Sequence, residues 1–374
     1  MSLRLDPASR SVSAGERMMG PVTLLPMRLV QVDMAQAPQP TRFPAERKRR
    51  SDCQMTQHSQ AETVELEVVG LPPGEVDPDA ELGNVFTAHN VSGKDRAAYA
   101  LADDVVSDYK LSDDSMPQEG VYSGTYYHFR WVSNLVYPGV ARSVYLYVPY
   151  GADQAESVNL LVCQDGPYYV GPQLRATTVL DNLVHKGEIP MTAGLFVCAG
   201  ESGPGYPVFG GNHNRSIEYD VVNGDYARFL VEELFPVVRT KVRLTDDPRG
   251  RVICGISSGG ACAMTAAFHR PQDFGNVISH CGSFINIRGA HQLPTMFRQT
   301  PRKPIRIWHQ TGSRDLDIIF GSIPIANYDM DASLKYRRYD SRFVFGNGGH
   351  SLRHGGAVFP ETLRWIFRDQ VDDR

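Results

Sequence analysis

The feature that most limits what this chain can fold into is the stretch Arg251-Val252-Ile253-Cys254-Gly255-Ile256-Ser257-Ser258-Gly259-Gly260-Ala261. Four residues of strand character run into Gly255, and helix-permitting residues follow from Gly260 to Phe268. Between them lies Gly-x-Ser-x-Gly, with Ser257 at its centre. A serine on a tight strand-to-helix turn has a strained backbone and tolerates no bulk on either side, which Gly255 and Gly259 provide. Gly260 and Ala261 let the helix approach the sheet closely. Such a turn lifts the Ser257 hydroxyl above the strand ends and aims a helix N-terminus at the same point, an arrangement suited to a nucleophile that stabilises a developing oxyanion.

The apolar pattern around this turn predicts strands over 124–132, 143–148, 159–163, 194–198, 251–254, 277–281, 305–309 and 341–345. The first two alternate, as half-exposed antiparallel strands do. The middle ones are short continuous apolar runs, as expected of parallel strands covered on both faces. Helices are predicted over 177–185, 225–241, 260–269, 325–335 and 361–369. Within the second, Tyr226, Phe229, Leu230, Leu234 and Val237 share one face. Together these describe an α/β fold: a mostly parallel, eight-stranded sheet with helices on both faces.

A serine hydroxyl is a weak nucleophile until a base takes its proton, and the base needs a partner to fix its tautomer. In a sheet of this kind the acid follows a late strand and the histidine comes near the end of the chain. His350 stands in Gly346-Asn347-Gly348-Gly349-His350, with His354 as the alternative four residues on. The strand over 305–309 leads to Asp315, three residues past Gly312, and to the alternative Asp317. Oxyanion donors are expected from the backbone N–H of Ser258 and from the loop after the third strand, Gln164-Asp165-Gly166, where Gly166 permits close approach. Tyr168, beside that loop, is a candidate pocket wall. Arg215 and Glu218, in the polar segment before the long helix, are read as pairing with each other or meeting substrate.

A hydrophobic share of 42%, a charged share of 21% and a net charge of -4 are those of a globular protein with no electrostatic footprint for nucleic acid. No run of about 18 apolar residues is present, so no membrane-spanning helix is expected. The six cysteines lack Cys-x-x-Cys spacing, so a zinc site is not expected; no other cofactor is expected either. Several of them sit near the ends of apolar strand runs as reduced thiols, which favours the cytoplasm. Residues 1–60 show no core-forming periodicity and read as a disordered leader. Residues 61–118 read as a lead-in segment or small subdomain, with alternation at Val64, Leu66 and Val68, and 119–374 as the catalytic domain.

With these pieces located, the chain resembles the Putative esterase family of α/β-hydrolases, which includes enterochelin esterases, feruloyl and other carbohydrate esterases, and esterase D-like enzymes. The resemblance spans roughly 120–370. It rests on Gln164-Asp165-Gly166, Asn214-Arg215-Ser216-x-Glu218-Tyr219-Asp220, Gly255-x-Ser257-x-Gly259-Gly260 and Ser279-His280-Cys281-Gly282-Ser283-Phe284. Gly312-Ser313-x-Asp315-Leu316-Asp317 and Gly348-Gly349-His350-x-x-x-His354-Gly355-Gly356 complete it. It implies a metal-free serine hydrolase acting on a small-molecule ester through an acyl-enzyme. Two other functions remain compatible with these residues: acyl transfer to an alcohol acceptor, and a silent binding module on the same scaffold. The substrate groups and the oligomeric state are not legible in the residues.

Overall fold

The computed structural model describes residues 64–69, 109–201 and 214–371. The expectations for residues 1–60 lie outside the described residues. Nine strands form one sheet: β1 (Glu67–Val69), β2 (Thr125–Val132), β3 (Ala141–Val148), β4 (Asn159–Gln164), β5 (Thr192–Val197), β6 (Arg251–Ile256), β7 (Asn276–His280), β8 (Arg306–Gly312) and β11 (Asp340–Gly346). Two short strands, β9 (Asp317–Ile318) and β10 (Gly321–Ser322), make a separate hairpin. The sheet order is β1-β2-β3-β5-β4-β6-β7-β8-β11. From β5 to β11 all neighbours are parallel, whereas β1, β2 and β3 join through antiparallel pairs.

The strand patterns explain this division. β4, β5, β6 and β7 are buried at every position, as continuous apolar runs must be when helices cover both faces. All eight expected strands form. The sheet is nevertheless one strand wider than expected, because the alternating residues before Leu71 pair with β2 (Val68 opposite Tyr127). The described part of the lead-in also packs on this domain: Asn182 Nδ2 donates to the carbonyls of Asp114 and Met116.

Nine α-helices occur among the described residues: α1 (Pro167–Val170), α2 (Ala176–His185), α3 (Arg215–Tyr219), α4 (Asp225–Phe229), α5 (Phe235–Arg239), α6 (Ser258–His269), α7 (Leu293–Gln299), α8 (Ile323–Tyr336) and α9 (Leu352–Val371). One face of the sheet packs on a cluster that includes Phe229, Leu234, Ala263, Phe297 and Leu334; the other packs on Leu180, Leu183, Phe359, Leu363 and Ile366. No helix among the described residues is long and apolar enough to cross a membrane.

Two helices differ from expectation. The single helix expected over 225–241 is interrupted by a π turn, Leu230–Leu234, just before Pro236. Proline lacks the N–H and crowds the carbonyl four residues back, so the preceding turn widens. The last helix starts at Leu352 and not near 361. Its Gly355 and Gly356 read as loop residues but are packing residues. An added Cβ would lie 2.7 Å from the His280 ring at Gly355, and 2.0 Å from the Gln173 carbonyl at Gly356.

β4 pairs with β5 on one side and with β6 on the other, so the connections leaving its neighbourhood diverge there. Open α/β sheets bind ligands at the carboxyl ends of strands at such a switch point. β4 ends at Gln164 and β6 leads into Ser257, so both candidate segments meet at this crevice.

Candidate active site

Ser257 joins β6 to α6 with φ 59 and ψ -124, a conformation unfavourable for any residue with a Cβ. The surroundings hold it there. Its N–H donates to the His280 carbonyl at 2.9 Å, and its own carbonyl accepts from the Ser283 N–H at 3.0 Å. The flanking glycines are required by contact: a Cβ on Gly255 would lie 2.3 Å from the Gly259 backbone, and one on Gly260 would lie 2.6 Å from Ser279 Oγ. The Ser257 hydroxyl is 3.0 Å from Ser283 Oγ.

His350 and Asp315 come together across 35 residues, with Nδ1 2.6 Å from Oδ1. The carboxylate accepts, so the proton sits on Nδ1 and the Nε2 lone pair is left open; Nε2 makes no hydrogen bond to any described residue. Asp315 is itself fixed, accepting from the Leu316 N–H at 2.7 Å and from Thr311 Oγ1. Both side chains are buried. The alternatives stand elsewhere. Asp317 is exposed on the β9–β10 hairpin. His354 lies inside α9, accepts at Nδ1 from Gln310 Nε2 at 2.7 Å, and stacks on Tyr109 with ring centroids 4.3 Å apart. Burial, reinforced by nearby His280, pushes its pKa down to about 4.

The Ser258 N–H, at the first position of α6, has no intrahelical acceptor. Gly166 is a different matter. Its N–H donates to the Val197 carbonyl at 3.2 Å, so it is not a free oxyanion donor. Glycine is needed there because a Cβ would lie 2.4 Å from Phe196. Its neighbour Asp165, in the left-handed region at φ 52, donates its N–H to Tyr219 Oη at 3.3 Å. Both N–H groups of the loop after β4 therefore already have acceptors, Gly166 at 3.2 Å and Asp165 at 3.3 Å.

The polar segment is wired differently from the expected Arg215–Glu218 pair. Arg215 grips the Asp165 carboxylate through Nε (3.0 and 3.1 Å) and Nη2 (2.7 Å). Glu218 forms a two-pronged, wholly buried pair with Arg142, at 2.5 and 2.9 Å. α3 thus ties the β4 loop to β3, which is a reason for its charged residues that linear spacing does not reveal. Asp220, at the end of α3, is also buried, and burial pushes its pKa up to about 6 despite nearby Arg215 and Ser258. Tyr168 is half-buried in α1, while Tyr169 is fully buried with its hydroxyl 3.1 Å from His280 Nδ1.

Residue-level reading did not single out Ser283, Thr311, Cys281 or Arg142. Ser283 and Cys281 stand in the Ser279–Phe284 segment that carries the resemblance, and they follow β7, the neighbour of β6, which brings them to the serine turn.

Comparison with known proteins agrees with this geometry. The family model described as Putative esterase matches residues 137–352. An iron(III) enterobactin esterase of Dickeya dadantii (strain 3937) is 25% identical over 242 residues, covering 60% of this chain and 51% of that protein. Its namesake from Escherichia coli (strain K12) is 27% identical over 144 residues, covering 38% and 33%. The chain therefore spans about half, or less, of the length of these curated relatives. Among solved structures, an enterobactin esterase from Shigella flexneri crystallised in the presence of enterobactin superposes with a TM-score of 0.55 at 21% identity, covering 68% of this chain and 61% of that one. A ferulic acid esterase superposes with a TM-score of 0.53 at 14% identity, covering 66% and 99%. The fold is that of the α/β-hydrolase esterases, and with more than half of its length matched by the family model the chain belongs to the Putative esterase family.

Proposed function

We propose that this chain is a carboxylic ester hydrolase working through an acyl-enzyme, with its catalytic domain over 119–374. Ser257 attacks the ester carbonyl. His350 takes the serine proton at Nε2 and returns it to the leaving alcohol, and Asp315 holds the Nδ1–H tautomer. The Ser258 N–H, at the N-terminus of α6, faces the developing oxyanion. The observation that carries this reading is the strained Ser257 turn at the sheet's switch point together with the 2.6 Å His350–Asp315 hydrogen bond. The link between them is short: His280 receives the Ser257 N–H, and the next residue, Cys281, has its sulfur within 4.8 Å of the ligand atoms of His350 and Asp315.

The relatives direct the choice of substrates, since they are described as enterobactin and ferulic acid esterases. A screen of short-chain aryl, feruloyl, catecholate-lactone and acetyl-sugar esters should find turnover in one class. Ser257→Ala should then lower kcat by about 10⁴–10⁶. An organophosphonate should label Ser257 alone. Label on Ser258, or full activity in the alanine variant, would overturn the assignment.

A further inference from the structure

Cys281 carries a reduced thiol that the proposed reaction does not use. It follows β7 directly, in the left-handed region at φ 48, and is fully buried. Its sulfur lies 3.9 Å from the Gly349 carbonyl and 3.8 Å from that of Ser351, the two residues flanking His350. A sulfur of Cys281, a carboxylate oxygen of Asp315 and a ring nitrogen of His350 all lie within 4.8 Å of one another, and all three residues are buried.

We propose that Cys281, Asp315 and His350 form a binding site for a thiophilic divalent cation of the zinc and cadmium type, and that its occupancy switches the hydrolase off. The donor set is one zinc accepts: thiolate, imidazole and carboxylate. Bonds of about 2.3 Å to sulfur and about 2.0–2.2 Å to nitrogen and oxygen, arranged tetrahedrally, place ligand atoms roughly 3.3–3.6 Å apart. The His350–Asp315 separation of 2.6 Å must therefore widen by about 1 Å, and the sulfur, within 4.8 Å of both, must close in by up to about 1 Å.

The inhibitory consequence follows from the tautomer. An ion between Asp315 and His350 takes the Nδ1 lone pair, so the neutral ring carries its proton on Nε2. A protonated Nε2 cannot accept the Ser257 proton. Cys281 loses its thiol proton to solvent and the ring proton moves from Nδ1 to Nε2, so one proton is released per ion bound. The serine is untouched.

Inhibition rests on the proposed function, whereas binding does not, and the test separates them. Metal-free full-length chain is titrated with cadmium alone, followed by the ultraviolet thiolate-to-cadmium charge-transfer band and by calorimetry. The wild type should show a site of one ion per chain whose band is lost in Cys281→Ser, with affinity about 100-fold lower or worse in both Cys281→Ser and His350→Gln. In ester assays, Cys281→Ser should keep its own metal-free rate at zinc concentrations that silence the wild type. Cadmium titrations unchanged by Cys281→Ser, or affinity unchanged by His350→Gln, would overturn the site. Cadmium binding as expected in a chain with no ester turnover would instead count against the proposed function.

Discussion

The Ser257 and Ser283 hydroxyls are 3.0 Å apart, while the Ser283 N–H donates to the Ser257 carbonyl at the same distance. Ser283 thus grips the serine turn by backbone and side chain together. The hydroxyl contact engages Ser257 Oγ, while His350 Nε2 makes no hydrogen bond to any described residue. A hydrogen bond of this kind contributes about 0.5–1.5 kcal/mol net. Ser283→Ala should therefore speed labelling of Ser257 by an organophosphonate about 2- to 10-fold, measured as a second-order rate constant. Slower labelling would mean that Ser283 aligns the nucleophile and does not park it.

Asp315 and His350 should behave as one unit, and their sequence neighbours should not. Asp315→Asn and His350→Ala are each expected to lower kcat about 10³-fold or more, with little change in melting temperature. Asp317 is exposed, so Asp317→Asn should stay within about 0.5 kcal/mol in stability and near wild-type kcat. Steady-state kinetics and thermal melts of the variants decide this. A collapse of kcat confined to Asp317→Asn would reverse the assignment of the acid.

The Arg142–Glu218 pair makes a prediction about stability. Both side chains have no exposure, and the guanidinium also lies 4.1 Å from the Phe229 ring centroid. Removing one partner strands a buried charge, which typically costs about 3–5 kcal/mol. Arg142→Met and Glu218→Gln should each destabilise by that order in urea unfolding. The double variant should lose less than the sum of the two.

His354 should impose an acid limit on stability. Its folded pKa is lowered to about 4 from an ordinary 6.5, so below pH 6.5 the unfolded chain binds a proton that the folded chain refuses. Stability contributed by the neutral ring is present above pH 6.5 and is lost as pH falls towards 4, by up to about 3 kcal/mol. His354→Gln should be less stable at pH 7, having lost the Tyr109 stack, yet show a flatter profile between pH 6.5 and 4. Urea midpoints across that window test it. An unchanged slope would assign the acid sensitivity to other groups.

The sequence by itself determined the architecture and pointed to the candidate site residues. Continuous apolar runs can be satisfied only as covered parallel strands, and Gly255-x-Ser257-x-Gly259 between strand and helix leaves one local conformation available. These signals are local, so they survive in linear order. Ser257 was legible as a candidate for the same reason, whereas the choice of Asp315 over Asp317 and of His350 over His354 stayed open until the fold joined Asp315 to His350.

Tertiary structure decided what depends on contact. Gly355 and Gly356 read as loop because glycine is a poor helix former, but close packing against His280 and Gln173 requires them inside α9. Arg215 and Glu218 sit at helical spacing, yet each finds a stronger partner on another element, Asp165 and Arg142, because a buried charge must be neutralised wherever the fold offers an opposite one. Gly166 looked free to donate until Val197, on the adjacent strand β5, took its N–H. Cys281, Asp315 and His350 are separated by 34 and 35 residues and carry no ligand spacing; only the parallel order of β7, β8 and β11 brings their strand ends to one place.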